Sequence, residues 1–392
     1  MSSKAAVPFL VSMMLLTGVC NTLLTKYQDN QCVHHCNSKD PKKAEFFDQP
    51  VLQTAQMFVG EMGCFAVIAI MNIYNYINGK RSQEPGYTAV DADEHDSLLG
   101  EDDAPPPKQS MLKGYRVVLL ALPAICDILG TTLMNIGLLL VAPSIYQMVR
   151  GALVLFVGLF SVVFLKRRLH LFQWLALGGV VTGVAIVGLA GALWPDKKAQ
   201  VGSNTDGLSD ASRAITGVVL IAGAQIFTAT QFVLEEWMLE NSSIDPIRVV
   251  GWEGVFGFTV TTLTMVILHL AVGQTSAGQY GRFDMVEGLR QMTTNRTILT
   301  TSILIMLSIG GFNFFGLSVT RSVSATSRST IDTCRTLFIW IVSLALGWER
   351  FKSLQVVGFG LLVYATFVFN GLIRPPFEFL RVREEEDNEE EL

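Results

Sequence analysis

Charge is what this 392-residue chain has least of: 16% of its residues are Asp, Glu, Lys or Arg, against roughly 25% in an average soluble protein. Histidine is scarce as well, with five copies. There is no Walker phosphate loop, no zinc-protease helix and no hydrolase nucleophile elbow. These gaps exclude ATP-driven pumping and common hydrolytic chemistry. They set the expectation of a non-enzyme with no cofactor, no metal and no nucleic-acid partner.

What fills the space is apolar. Half of the residues are hydrophobic and Phe alone occurs 24 times. Windows of about 19 residues mark ten candidate spans, near 7–24, 51–77, 117–140, 143–165, 170–193, 214–238, 249–272, 298–319, 325–347 and 353–373. The expected fold is an all-α integral membrane protein of ten transmembrane helices. A first five-helix repeat covers 1–193 with an acidic loop at about 78–116. A connecting loop covers 194–213, the second repeat 214–373, and an acidic tail 374–392. The first span follows a short leader but lacks a small-residue cleavage site, so it reads as an uncleaved helix.

Ten spans place both termini on one side of the membrane. Lys and Arg outside the spans divide almost evenly, with a slight excess favouring cytosolic termini. Sequons at Asn241 and Asn295 fall on opposite sides in this arrangement, the first cytosolic and the second lumenal.

Shifting the chain by 182 residues sets Gln173 on Gln355, Ser161 on Ser343, Arg168 on Arg350 and Gly178 on Gly360. The common spacing suggests two halves, and an odd number of helices per half inverts one against the other. Inverted halves are a frequent build of secondary transporters, with the substrate site near midplane.

Ionisable residues inside spans are costly and mark sites or structural pairs. Arg150 is the eighth residue of its span, about 10 Å deep at 1.5 Å per residue. Asp332 occupies the matching place in the second half, and Arg328 and Arg335 share its helical face at spacings of four and three. Two readings stand. The arginines, with Gln147 one turn from Arg150, bind an anionic substrate group, since a guanidinium fork suits carboxylate or phosphate. Alternatively, Asp332 forms a structural pair with Arg150 or Arg335. Three arginines against one aspartate favour the anion. Glu61 and Glu253, in matched spans, and Asp127 are candidates for carrying a coupling proton, or else they hydrogen-bond a neighbouring helix.

Two loop motifs remain. Cys32 and Cys36 flank a His pair in CVHHC, which has too few ligands for a zinc module and reads as a disulfide if that loop faces an oxidising lumen. Glu94, Leu98 and Leu99 have the acidic dileucine spacing read by clathrin adaptors, which points to lysosomal or endolysosomal delivery, with Golgi and mitochondrial membranes as alternatives.

The segments TGVCNTLLTKYQDN, GEMGCF, QMVRGALVLFVGLFSVVFLKRRL, VLEEWMLE, GWEGVFGF and SATSRSTIDTCRTLFIWIVSLALGWE, in this order, resemble the drug/metabolite transporter superfamily and, within it, the F subfamily of solute carrier family 35. The resemblance implies two inverted, EamA-like five-helix repeats that expose a substrate site by alternating access. Its cargo would be a small metabolite, and it leaves substrate and oligomeric state open. A non-transporting membrane scaffold on the same fold is the rival expectation.

Overall fold

The computed structural model describes residues 3–34, 36, 45–77, 114–138, 140–141, 143–193, 210–242, 244–275, 281–346, 353–371 and 373–374. The helices in chain order are α1 (Ser3–Asp29), α2 (Pro50–Ile77), α3 (Ala121–Leu138), α4 (Pro143–Val149), α5 (Leu153–Val163), α6 (Leu171–Leu193), α7 (Asp210–Asn241), α8 (Pro246–Leu268), α9 (Met285–Thr294), α10 (Arg296–Ser322), α11 (Ala325–Ala345) and α12 (Ser353–Phe369). A two-stranded hairpin, β1 (Cys32–His34) and β2 (Glu45–Phe46), lies between α1 and α2. Among the described residues, seven helices are long and apolar enough to cross a membrane, and Arg150–Val163 and Ser353–Phe369 are shorter apolar helices. Their outer surface carries Ile70, Tyr74, Leu263, Ile267 and Leu307, all exposed. That is the surface expected where lipid tails replace water.

Helix ends follow local chemistry. Asn295 caps α10, its side chain accepting from the backbone N–H groups of Thr297 at 2.9 Å and Ile298 at 3.4 Å. Pro246 opens α8, where its missing N–H has no partner to lose. Ser324 caps α11 by accepting from Ser327 N–H at 3.1 Å. Many helical Ser and Thr hydroxyls donate back to the carbonyl one turn earlier, as Thr320 does to Gly316 at 3.1 Å. Polar side chains thereby satisfy themselves inside an apolar layer.

Without a hydrophobic drive between helices in lipid, association rests on close packing, and small residues permit it. Gly183 of α6 and Gly358 of α12 meet backbone to backbone. A Cβ on Gly183 would lie 2.9 Å from the Gly358 carbonyl, and one on Gly358 would lie 3.0 Å from that of Gly183. Val180, Val187 and Leu362, with Met148 and Val149 of α4, fill the same seam and are fully buried. The other main seams are α1 with α10, α2 with α8 and α10, and α3 with α7 and α8.

Two departures from the expected elements bear on the site. The span expected to run unbroken over 143–165 is interrupted by a 3₁₀ turn at Arg150–Ala152 between α4 and α5. Gly151 is a poor helix former, and its bare Cα lets Leu362 approach within 2.5 Å of where a Cβ would stand. The second departure is α9, a ten-residue helix between α8 and α10 that is too polar to register as a span. Asp284 starts it by accepting from Glu287 N–H at 3.2 Å.

Candidate functional site

Five helices and the 3₁₀ turn after α4 bring ionisable side chains together inside the bundle. α11 supplies three of them at one-turn intervals: Arg328, Asp332 and Arg335, all buried. Arg328 donates through Nη1 to Glu235 Oε2 of α7, a pair with both side chains excluded from solvent. Its guanidinium lies over the Phe232 ring at 3.9 Å and rests against Gly316 of α10, where a Cβ would approach Arg328 Nε to 2.9 Å. Arg335 pairs with Asp332 on its own helix at 2.8 Å and lies 4.6 Å from the Phe312 ring centre. Gly18 of α1 makes room for it, since a Cβ there would meet Arg335 Cδ at 2.5 Å.

Arg150 sits at the 3₁₀ turn with its guanidinium 5.8 Å from the Tyr146 ring centre. It forms no ion pair among the described residues, and its buried Nε has no hydrogen-bond partner. Asp332, Asp127 and Arg335 lie within electrostatic reach of it.

The carboxylates form a second group. Glu61 of α2 accepts from Asn313 Nδ2 of α10 at 2.5 Å. Glu253 of α8 lies within electrostatic reach of Glu61, Glu235, Asp127 and Arg328, and its buried Oε1 has no partner. Asp127 of α3 has Thr131 Oγ1 at 3.4 Å. Four buried carboxylates and the half-buried Asp127 therefore accompany three guanidiniums. The sequence count of three arginines to one aspartate omits the acids that other helices deliver. Arg328 belongs to Glu235, although it shares the Asp332 face.

Of the residues singled out by sequence, Arg150, Asp332, Arg335, Arg328, Glu61, Glu253 and Asp127 converge on this cluster. The side chain of Gln147 and the motif of Glu94, Leu98 and Leu99 lie outside the described residues. Cys32 and Cys36 are joined by a disulfide with Cα atoms 5.8 Å apart, in the hairpin and away from the cluster. Asn313, Glu235, Phe232, Phe312, Gly18 and Gly316 complete the site without having been singled out for it. Asn313 and Glu235 were visible as polar residues inside spans. Nothing in the sequence marked the two glycines as cradles for arginine.

The two chain halves also touch at opposite ends of α8. Near Pro246, Arg167 after α5 donates to Glu236 of α7 at 2.7 Å and reaches Glu240 at 3.3 Å. Beyond Leu268, His34 pairs with Glu287 at 2.9 Å and Arg282 pairs with Asp48 at 2.5 Å.

A bundle of long apolar helices with paired charges buried among them defines a multi-pass membrane protein. Residues 98–189 match the EamA-like transporter family. The chain is 37% identical over 369 residues to human solute carrier family 35 member F6, covering 94% of this chain and 89% of that protein. It is 38% identical over 364 residues to an uncharacterized protein of Schizosaccharomyces pombe, covering 93% of this chain and 97% of the relative. One solved structure aligns over 94% of this chain and 98% of its own, at a TM-score of 0.50 and 12% identity. The chain belongs to the F subfamily of solute carrier family 35, within the EamA-like transporters.

Proposed function

We propose that the protein is a proton-coupled secondary carrier of a small polar, anionic metabolite, working by alternating access between two inverted five-helix halves. The observation that carries this reading is the residue of charge left after pairing. Arg328 is taken by Glu235 and Arg335 by Asp332, which leaves Arg150 as a half-buried guanidinium with a buried, unbonded Nε. Glu61 and Glu253, both buried, and the half-buried Asp127 are left as carboxylates without an ion pair among the described residues. A lone ionised carboxylate in a dry interior is costly enough to take up a proton instead. With those three neutral, one positive charge remains at Arg150, and an anionic cargo group would balance it.

The seams support the inverted arrangement. Exchanging the halves carries α1 to α7, α2 to α8, α3 to α10, α4 and α5 to α11, and α6 to α12. Under that exchange the α1–α10 seam becomes α7–α3, α2–α10 becomes α8–α3, and α5–α7 becomes α11–α1, all of which are packed pairs. The α2–α8 and α6–α12 seams map onto themselves. Such a network suits two bodies rocking about a central site. The Arg167–Glu236 contact and the His34–Glu287 and Arg282–Asp48 contacts, at opposite ends, would open in turn.

The membrane assigned to the carrier is lysosomal or endolysosomal with both termini cytosolic, and Glu94, Leu98 and Leu99 would engage a clathrin adaptor. The test is metabolite profiling of isolated lysosomes with and without the protein, followed by proteoliposome uptake of whatever accumulates. A small anionic solute should accumulate and should then be carried. A full set of unchanged solutes with no proton flux would sink the carrier reading and favour a scaffold.

A further inference from the structure

The first two turns of α9 set polar side chains inward and apolar ones outward, the reverse of a helix packed on a water-soluble surface. Glu287 and Gln291 are buried, Glu287 is held by His34 at 2.9 Å and by Gln291 at 3.1 Å, and Gly288 packs on Gln49 and Leu52 of the loop and helix beneath, while Thr293 and Thr294 of the last turn are exposed. Its outward side carries Val286 and Leu289, with relative exposures of 60% and 42%, next to Phe283 at 39%. Arg290, 72% exposed at its side chain, lies on the same side.

What covers that face is indicated by its surroundings. Arg296, itself exposed, opens α10 two residues after α9 ends, and the open apolar surface continues along that spanning helix through Leu299, Ile303 and Leu307. The outward side of α9 is thus the upper rim of a lipid-facing wall. Apolar side chains level with the end of a span, edged by arginines, suit the headgroup layer, where rings and aliphatic chains enter the acyl boundary and guanidiniums meet phosphates.

We infer that α9 is an interfacial helix seated in the bilayer leaflet opposite the termini, and that Arg290 and Arg296 hold anionic phospholipid there. The partner is the bilayer itself, not a second copy of the chain. This seat has a consequence for the end of the bundle it covers. Glu287, on the inner side of α9, holds His34 of β1, inside the short Cys32–Cys36 disulfide loop, while Arg290 approaches Glu287 Oε2 at 3.8 Å from the outer side. Drawing Arg290 to a lipid phosphate removes a cation from Glu287 and leaves that carboxylate to His34. Anionic lipid would therefore steady the hairpin against the second half of the chain.

The test uses the full-length protein in nanodiscs of phosphatidylcholine, with and without phosphatidylglycerol, and follows amide hydrogen exchange over 282–298 and 31–36. Each arginine near an anionic surface contributes roughly a fivefold gain in binding, so the pair gives about thirtyfold. Phosphatidylglycerol should slow exchange in both segments, and the double variant R290A/R296A should lose that slowing while the spans stay protected. A second variant, Val286→Asp with Leu289→Asp, should speed exchange of α9 in both lipid mixtures. Equal exchange in the two mixtures, or slowing that survives in R290A/R296A, would overturn the lipid assignment. Protection of α9 that rises with protein loading per disc and ignores lipid charge would assign the face to a second copy instead. None of these readouts depends on transport, so failure of the carrier reading would leave this one standing, and the reverse.

Discussion

The pair formed by Arg328 and Glu235 gives the sharpest test of how the cluster is held together. Both side chains are excluded from solvent, and Arg328 is closed in by Phe232 on one side and Gly316 on the other. Removing one partner leaves an uncompensated buried charge, which costs about 3–5 kcal/mol. Replacing both with apolar residues of similar volume removes the charge and its desolvation together, an exchange that ranges from neutral to about 1–4 kcal/mol stabilising. Glu235→Leu alone and Arg328→Met alone should each lower stability by about 3–5 kcal/mol. The double variant should return to within about 1 kcal/mol of the parent, or exceed it. The assay is equilibrium unfolding in detergent micelles, arranged as a double-mutant cycle with the interaction energy as its readout. Additive losses, with the double variant the least stable of all, would refute the pairing. The same cycle separates structure from function, because a stable double variant that carries no solute assigns Arg328 to transport as well.

Other expectations follow from particular contacts. Gly316→Ala puts a Cβ 2.9 Å from Arg328 Nε and should cost about 1–3 kcal/mol, whereas Gly360→Ala, with nothing within 4 Å, should be neutral or gain up to about 1 kcal/mol; thermal unfolding of the two variants decides it. Replacing Cys32 and Cys36 by Ser removes a short closed loop and should cost about 2 kcal/mol, with faster hydrogen exchange at 31–36 and at α9 and none at α10. Asn295 is occupied as the α10 cap, so its sequon should stay unglycosylated even if it faces a lumen, and Asn295→Ala should cost about 1 kcal/mol of stability. Peptide mapping and unfolding check these two effects separately.

Much of the frame could be read from the sequence because lipid imposes a simple rule: spans must be long and apolar, and charge within them must face inward. That rule placed Arg150, Asp332 and Arg335 in the interior. Spacing along one helix is also legible, so Asp332 and Arg335 could be matched at i and i+3. Partners on different helices were not. Glu235 and Arg328 are 93 positions apart, and only the α7–α11 packing makes them a pair. The charge count drawn from one helical face was therefore incomplete by four acids.

The break at Arg150 and the helix α9 escaped for other reasons. A 3₁₀ turn differs from an α-turn by one hydrogen-bond register, which apolar composition does not encode. α9 buries Glu287 and Gln291 and exposes Val286 and Leu289 among polar neighbours, so its pattern resembles a solvated loop. The glycines at 18 and 316 carry no motif. Their role appears only when an arginine from another helix is seen to occupy the space a side chain would fill.

In the proposed cycle Arg150 receives an anionic cargo while Glu253 carries a proton. Proteoliposome uptake of the accumulating solute under an imposed pH gradient, comparing the parent protein with Glu253→Gln and Arg150→Gln, separates the two roles. Uptake should follow the gradient in the parent, ignore the gradient with Glu253→Gln, and show a weakened apparent affinity for the anion with Arg150→Gln, all in folded protein. Gradient-driven uptake that persists in Glu253→Gln, together with unchanged affinity in Arg150→Gln, would contradict this cycle.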